Sequence, residues 1–352
     1  MLPMGLRNDL LLSLALAIAP VPLLLATPFV GAKAAGVSDP QAFKIGGSST
    51  VFPLMALAVK KFQARWPTSK VELFESGTSA GFRQFCAGKI AIANASRPIN
   101  SKELKVCSSN GVSFLELPIA FDAITVVVHP KNTWAKQISI KELAQIWASD
   151  AQGKVDRWKE VNNDWPDRAL SLCGPGRDSG TYDYFNKSVN GKDDNSRSDY
   201  TASEDDAVLV RCVAGNVNAL GYFGFGYYNA NRDRLRALAI AGASGPVAPT
   251  IANVQEGTYL PLSRPLFLYI NDKQLTENKA LRNFVTMTVA NGKGLAQAAG
   301  SIPLPASTYR LVESKIFRHV TGSSFGGDLP VGLSIGEALR RSFDQHKLPQ
   351  FR

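Results

Sequence analysis

The chain has 352 residues, 39 Lys and Arg against 29 Asp and Glu, and a net charge of +10. Its charges are scattered, with no basic run interleaved with aromatics, which argues against a nucleic-acid surface and leaves a general field that favours anions. Internal repeats and low-complexity blocks are absent, which excludes solenoids and disordered scaffolds.

The first element reads as an export signal. Arg7 precedes an apolar stretch at 10–29, and Ala32-Lys33-Ala34 gives the small-x-small pattern of a signal-peptidase site. An apolar run of about 20 residues could also span a bilayer as an uncleaved anchor, but Pro20, Pro22 and Pro28 interrupt such a helix. No cysteine follows the run, so a lipid anchor is not expected. Removal of 1–34 takes Arg7, Lys33 and Asp9 and leaves a charge of +9. The mature protein is expected to be soluble and periplasmic or otherwise extracytoplasmic, with a length that suffices for two domains.

The mature chain alternates strand-like and helix-like segments. Gly47 is followed by Ser48-Ser49-Thr50-Val51, a hydroxyl-rich turn that opens a helix. Val71-Glu72-Leu73-Phe74 reads as a strand, and Gly77-Thr78-Ser79-Ala80-Gly81 turns it into a helix at 82–87. Strand-like Ala123-Ile124-Thr125-Val126-Val127-Val128 leads through a loop to a helix at 140–147. Leu170-Ser171-Leu172 leads to a third hydroxyl turn, Gly176-Arg177-Asp178-Ser179-Gly180-Thr181, and a helix at 182–185. This order predicts an α/β fold with mostly parallel strands. Each turn aims backbone N–H groups and small hydroxyls from a helix N-terminus, where negative charge is favoured. Three such termini suggest convergence on one anion, although each alone also reads as an ordinary turn and N-cap.

Two apolar segments broken by proline read as crossings between domains. One is 114–128 with Pro118; the other is 260–270 with Pro261 and Pro265. They give a discontinuous first lobe at about 36–121 and 259–352 and a second lobe at 122–258. Two hydroxyl turns then fall in the first lobe and one in the second, with a ligand cleft between. The four cysteines allow three pairings in an oxidising compartment. The sequential one, Cys86 with Cys107 and Cys173 with Cys212, keeps each bridge within one half. No C-x-x-C occurs and the three histidines are His129, His319 and His346, so no metal and no cofactor are expected.

Gly77-x-Ser79-x-Gly81 between a strand and a helix also fits the nucleophile elbow of an α/β-hydrolase, with Ser79 as nucleophile and His319 as base. No glycine-rich oxyanion loop precedes it, and that reading leaves the other two turns unexplained. Gly174-x-Gly176-x-x-x-Gly180 has the wrong spacing for a dinucleotide loop, and no P-loop pattern exists.

Four segments in order carry a resemblance over the whole mature chain. They are Lys44-Ile45-Gly46-Gly47-Ser48-Ser49-Thr50-Val51-Phe52-Pro53, Gly77-Thr78-Ser79-Ala80-Gly81-Phe82, Ile92-Ala93-Asn94-Ala95-Ser96-Arg97-Pro98-Ile99 and Gly174-Pro175-Gly176-Arg177-Asp178-Ser179-Gly180-Thr181. The chain resembles the phosphate-binding proteins of the phosphate-specific ABC transporter, and Asn218-Ala219-Leu220-Gly221-Tyr222-Phe223-Gly224 adds to the likeness. The resemblance implies a two-lobed periplasmic-binding-protein-like (type II) fold with the ligand in the cleft. It implies a monomeric, non-enzymatic protein that captures inorganic phosphate and delivers it to a membrane permease. A carrier of another tetrahedral oxyanion, sulfate or arsenate, and an exported serine hydrolase are the alternatives.

Position by position, the resemblance implies ligand contacts from the Thr50 hydroxyl and the Val51 N–H, with Ser49 as the alternative if the register slips. It implies the Thr78 hydroxyl from the second turn and Ser179, Gly180 and Thr181 from the third. Two positions depart from the better-known pattern. Arg97 stands where many members have an aspartate, and Pro175 where they have an arginine, with Arg177 displaced by two. Arg97 is therefore expected to face the anion, with Arg177 in reserve. Asp178 is the nearest candidate for the missing acceptor, which would distinguish a protonated phosphate from sulfate.

Overall fold

The computed structural model describes residues 42–242 and 244–344. The expected signal segment 1–34 lies outside them. The chain starts with β1 (Phe43–Gly47) and α1 (Phe52–Arg65). Pro53 occupies the first turn of α1, where its missing N–H costs nothing. Leu54, Met55, Ala58 and Phe62 share one buried face of that helix. β2 (Val71–Glu75), α2 (Thr78–Cys86) and β3 (Ile92–Ala95) repeat the alternation. α3 (Ser101–Ser109) starts at a capping box in which Asn100 and Glu103 satisfy each other's backbone N–H. β4 (Phe114–Val128) follows, buried along its whole length.

The middle of the chain supplies β5 (Gln137–Ser139), α4 (Ile140–Trp147), α5 (Trp158–Val161), β6 (Ser171–Pro175), α6 (Gly180–Asn190) and β7 (Thr201–Ser203). It continues with α7 (Asp206–Ala214), β8 (Ala219–Gly224), α8 (Phe225–Ala230), β9 (Arg236–Ala237), β10 (Ala239–Gly242), β11 (Gly245–Val247) and α9 (Ile251–Gln255). β12 (Ser263–Asn271) returns the chain to its starting half. There α10 (Asp272–Glu277), α11 (Lys279–Ala290), α12 (Gly292–Ala298), α13 (Ala306–Phe317) and α14 (Ile335–Asp344) complete the described fold.

Nine strands form one sheet in the order β2-β1-β3-β12-β4-β8-β6-β7, with β9 also on β4, and β11-β10-β5 form a second, small sheet. β1 lies parallel to β2 and β3, and β6 lies parallel to β8 and β7. The expected parallel arrangement therefore holds for these strands and for β5 with β10, but not for β10 with β11 or β4 with β9. It fails at the centre, where β12 is antiparallel to β3 and β4, and β4 is antiparallel to β8. The reason is geometric: a strand that leaves one half and a strand that comes back run in opposite senses. β4 serves both halves, pairing with β12 through Ala123 and with β8 from Ile124 onward. The two apolar crossings read from sequence are thus β4 and β12. Each half has disulfide reinforcement: Cys86–Cys107 ties α2 to α3, and Cys173–Cys212 ties β6 to α7. Loops of 21 and 39 residues closed this way each restrict the unfolded chain by about 3–4 kcal/mol in the chain-entropy account.

Candidate functional site

The three hydroxyl turns open α1, α2 and α6, as the alternation predicts, and they meet where the two halves of the sheet join. Gly47 ends β1 with a φ of 125°, and a Cβ there would lie 2.3 Å from the Asn94 carbonyl oxygen. Only glycine allows the chain to swing there from strand into turn. Ser49, Thr50, Thr78, Ser179 and Thr181 are all buried. The Thr50 and Thr181 hydroxyls, from opposite halves, lie 3.3 Å apart. Gly180 faces Thr78 and Ser96 so closely that a Cβ would sit 2.6 Å from one hydroxyl and 2.7 Å from the other. The Thr78 and Ser96 hydroxyls are themselves 3.2 Å apart.

At the centre of this ring stands a charge pair that the sequence motifs do not contain. Arg264 on β12 and Asp122 on β4 are register partners across the antiparallel ladder. Both are buried, with Nη2 2.8 Å and Nε 3.2 Å from Asp122 Oδ2. Arg264 Nη2 also reaches the Thr181 hydroxyl at 2.9 Å and the Thr50 hydroxyl at 3.3 Å, and Nη1 reaches the Gly180 carbonyl at 3.2 Å. Asp122 accepts a third bond, 2.9 Å, at its other oxygen from the Phe225 N–H at the start of α8. One guanidinium therefore touches the β1–α1 turn, the α6 turn and a carboxylate at once. A buried ion pair of this kind persists only with its remaining hydrogen-bond capacity satisfied.

Carboxyl groups surround the site on one side. Asp206, the first residue of α7, is buried and accepts a 3.2 Å bond from the Ser49 hydroxyl. Burial pushes its carboxyl up to about 7, with Asp122 and Glu75 adding to the rise against Ser49 and Arg264. Glu75, at the end of β2, is pushed up to about 7 by burial and by Asp205. Glu204 is raised to about 7 as well, again mainly by burial, and its Oε1 accepts from the Asp178 N–H at 3.0 Å. Among the described residues, no group of three or more His, Cys, Asp or Glu is arranged to hold a metal ion.

The structure brings Ser49, Thr50, Val51, Thr78, Ser179, Gly180 and Thr181 together and places the three charged candidates elsewhere. Arg97 is buried, but its five N–H donors are directed to Asp183, Ser79, the Pro98 carbonyl and both oxygens of Glu103. A guanidinium has five donors, so none is left for an anion. Asp178 is held by Arg83 in a two-pronged surface pair at 2.7 and 2.8 Å, and Arg177 is exposed. The N–H of Val51 is turned to the Ser48 carbonyl at 3.3 Å, and the Ser49 hydroxyl is engaged by Asp206. Nor does the hydrolase arrangement form: the Ser79 hydroxyl lies between Arg97 and Asp183, while His319 pairs with Asp272.

Sequence reasoning missed Arg264, Asp122, Ser96 and Asp206. A signal for the first two existed. Asp122 is the one charged residue between Pro118 and Val128, and Arg264 the one charged residue in the second crossing, 260–270. The one base of the second crossing has to find one of the two acids of the first, Glu116 or Asp122, since it cannot be buried unpaired.

The chain is 43% identical over 301 residues to the protein SphX of Synechocystis, covering 86% of this chain and 90% of that one. It is 34% identical over 265 residues to the phosphate-binding protein PstS of Staphylococcus epidermidis, covering 75% and 79%. Its fold is similar to a Clostridium perfringens protein described as a phosphate ABC transporter substrate-binding protein and solved with bound phosphate. That likeness has a TM-score of 0.64 and 26% identity, and covers 75% of this chain and 100% of the other. Residues 34–291 match the model of the PBP superfamily domain, and the chain belongs to that family.

Proposed function

We propose that this protein captures inorganic phosphate in the cleft between its halves and hands it to the membrane permease of an ABC transporter, outside the cytoplasm and after loss of the signal segment. The observation that carries the reading is the Arg264 guanidinium, which reaches hydroxyls of Thr50 and Thr181 from opposite halves and keeps one Nη1–H beyond its contact with Gly180. A tetrahedral anion in that ring of hydroxyls would be bound by a charge-assisted bond and by donors from both sides. The Staphylococcus epidermidis relative, named a phosphate-binding protein, and the Clostridium perfringens structure with bound phosphate support the choice of anion.

In this reading Thr50, Thr78, Ser96, Ser179, Gly180 and Thr181 line the anion, and Arg264 takes the part expected of Arg97. Asp122, not Asp178, is the acceptor. A phosphate that still carries a proton can donate to it, whereas fully ionised sulfate meets a carboxylate lone pair with nothing to offer. The lobes would be 36–121 with 259–352, and 122–258, swinging about the β4–β12 crossing. The protein acts by reversible capture as a monomer and catalyses nothing: a ligand that bridges both halves favours the closed state over the open one. Calorimetric titration of purified, ligand-stripped protein with phosphate, sulfate and arsenate tests this. Strong binding of phosphate with weak binding of sulfate is expected. Preference for sulfate, or an esterase activity lost in Ser79→Ala without phosphate binding, would overturn it.

A further inference from the structure

Asp206 is not part of the anion-lining ring, yet it is buried at the same junction. It belongs to α7 in the second half, and its bonding partner, the Ser49 hydroxyl, belongs to the β1–α1 turn in the first. Its surroundings are poor in positive charge. Glu75 faces it from the end of β2 and Asp122 from β4, while Asp205, next to it in the chain, is exposed and caps α7; Tyr227 of α8 is the neutral neighbour. Arg264 on β12 is the cation that reaches it electrostatically, and that guanidinium is already bonded to Asp122. An ionised carboxylate offers about four lone-pair sites, and here one hydroxyl serves them at 3.2 Å. A buried site faced by two other acids, and receiving a further anion, disfavours a carboxylate held by one bond and favours a neutral carboxyl.

We propose that Asp206 enters the closed cleft in its protonated, neutral form, so that capture of the anion takes up one proton from solution. The inference rests on the phosphate reading and assigns Asp206 a part in discrimination: the proton keeps a second carboxylate from repelling the bound anion. The transfer is simple: a proton from the buffer joins one Asp206 carboxylate oxygen as the halves meet, and leaves when they part. With the halves apart, Asp206 is wetted and titrates in the ordinary carboxyl range near about 4; buried, it is held at about 7. A closed-state pKa above the open-state one means that the closed form binds more protons. Closure is therefore easiest below about pH 4 and becomes harder as pH rises towards about 7, after which the cost levels off.

The test uses the mature, ligand-stripped chain and inorganic phosphate near pH 5.5, about midway in that window, where the free ligand stays a monoanion. Calorimetry in two buffers of different ionisation enthalpy counts the protons. The expected result is uptake close to one proton per phosphate in the wild type and a loss of most of that uptake in Asp206→Asn, whose amide is a permanently neutral isostere. Phosphate binding without proton uptake in the wild type would overturn the inference while leaving the phosphate reading intact. Uptake unchanged in Asp206→Asn would also overturn it and would move the proton to Asp183 or Glu75. An independent measurement needs no variant: infrared difference spectra of the wild type should gain a neutral carboxyl band when phosphate is added, and its absence would equally overturn the proposal. No phosphate binding at any pH would remove the phosphate reading and this inference together.

Discussion

Two buried arginines, Arg97 and Arg264, differ in what surrounds them. Arg97 meets two carboxylates, a hydroxyl and a carbonyl, five acceptors for five donors. Arg264 meets one carboxylate, two hydroxyls and one carbonyl. Burial is alike, and both contact residues of the opposite half. The difference is that hydroxyls can turn from one partner to another, whereas a carboxylate pinned in two places cannot. Arg97 is a completed structural joint between α3 and α6; Arg264 is a cation whose neighbours can be shared with a guest. A buried guanidinium in a binding protein is thus not by itself a ligand site: the count of its unspent donors decides.

The sharpest way to break this comparison is to remove each arginine in turn. Arg264→Ala should leave Asp122 as an unpaired buried charge facing the anion and weaken phosphate binding by at least about 3 kcal/mol, more than a hundredfold. Arg97→Ala should cost less than about tenfold in affinity but lower stability by roughly 3–5 kcal/mol, because Glu103 and Asp183 then lose their partner in the interior. Calorimetry and urea unfolding of both variants distinguish the two roles. A larger affinity loss for Arg97→Ala than for Arg264→Ala would reverse the assignment.

The next effect concerns the acceptor. Asp122→Asn keeps the shape of the pair but replaces a carboxylate oxygen with an amide, so phosphate should bind more weakly by about 1–3 kcal/mol while sulfate gains relative to it. Competition titrations read the ratio directly, and an unaltered phosphate-to-sulfate ratio would show that Asp122 does not read the ligand proton. The smallest effect is expected at the surface. Arg83→Ala removes the exposed pair with Asp178 and should change phosphate affinity by less than about threefold, since solvent and salt screen such pairs. A tenfold loss there would bring Asp178 back into the site.

These contrasts also explain which parts of the molecule were legible in the sequence. The three turns were, because glycine followed by small hydroxyls at a strand-to-helix junction has few other uses, and Gly47 and Gly180 prove to be places where a side chain would collide. The two apolar runs broken by proline were legible as extended segments, which are the buried strands β4 and β12, and the sequential pairing Cys86–Cys107 and Cys173–Cys212 is the one that forms. The charged pair at the centre of the turns was not. Arg97 adjoins a hydroxyl motif, but motif adjacency says nothing of Glu103, whose side chain caps α3 and holds the guanidinium together. Arg264 and Asp122 are 142 residues apart, and only the strand register sets them face to face.

That register has a mechanical consequence. Arg264 and Asp122 belong to the same two-strand ribbon on which the halves would pivot, so opening the cleft need not separate them. The hydroxyls of Thr50 and Thr181 would ride on the moving halves and part company, while the ionic pair would stay at the fulcrum. An arriving anion would then find its charged partners already desolvated and oriented, and would need to recruit only neutral groups as the halves swing shut. Most of the reorganisation is confined to the parts that are cheapest to move, and the part that would be costly to assemble anew at each encounter is built into the axle.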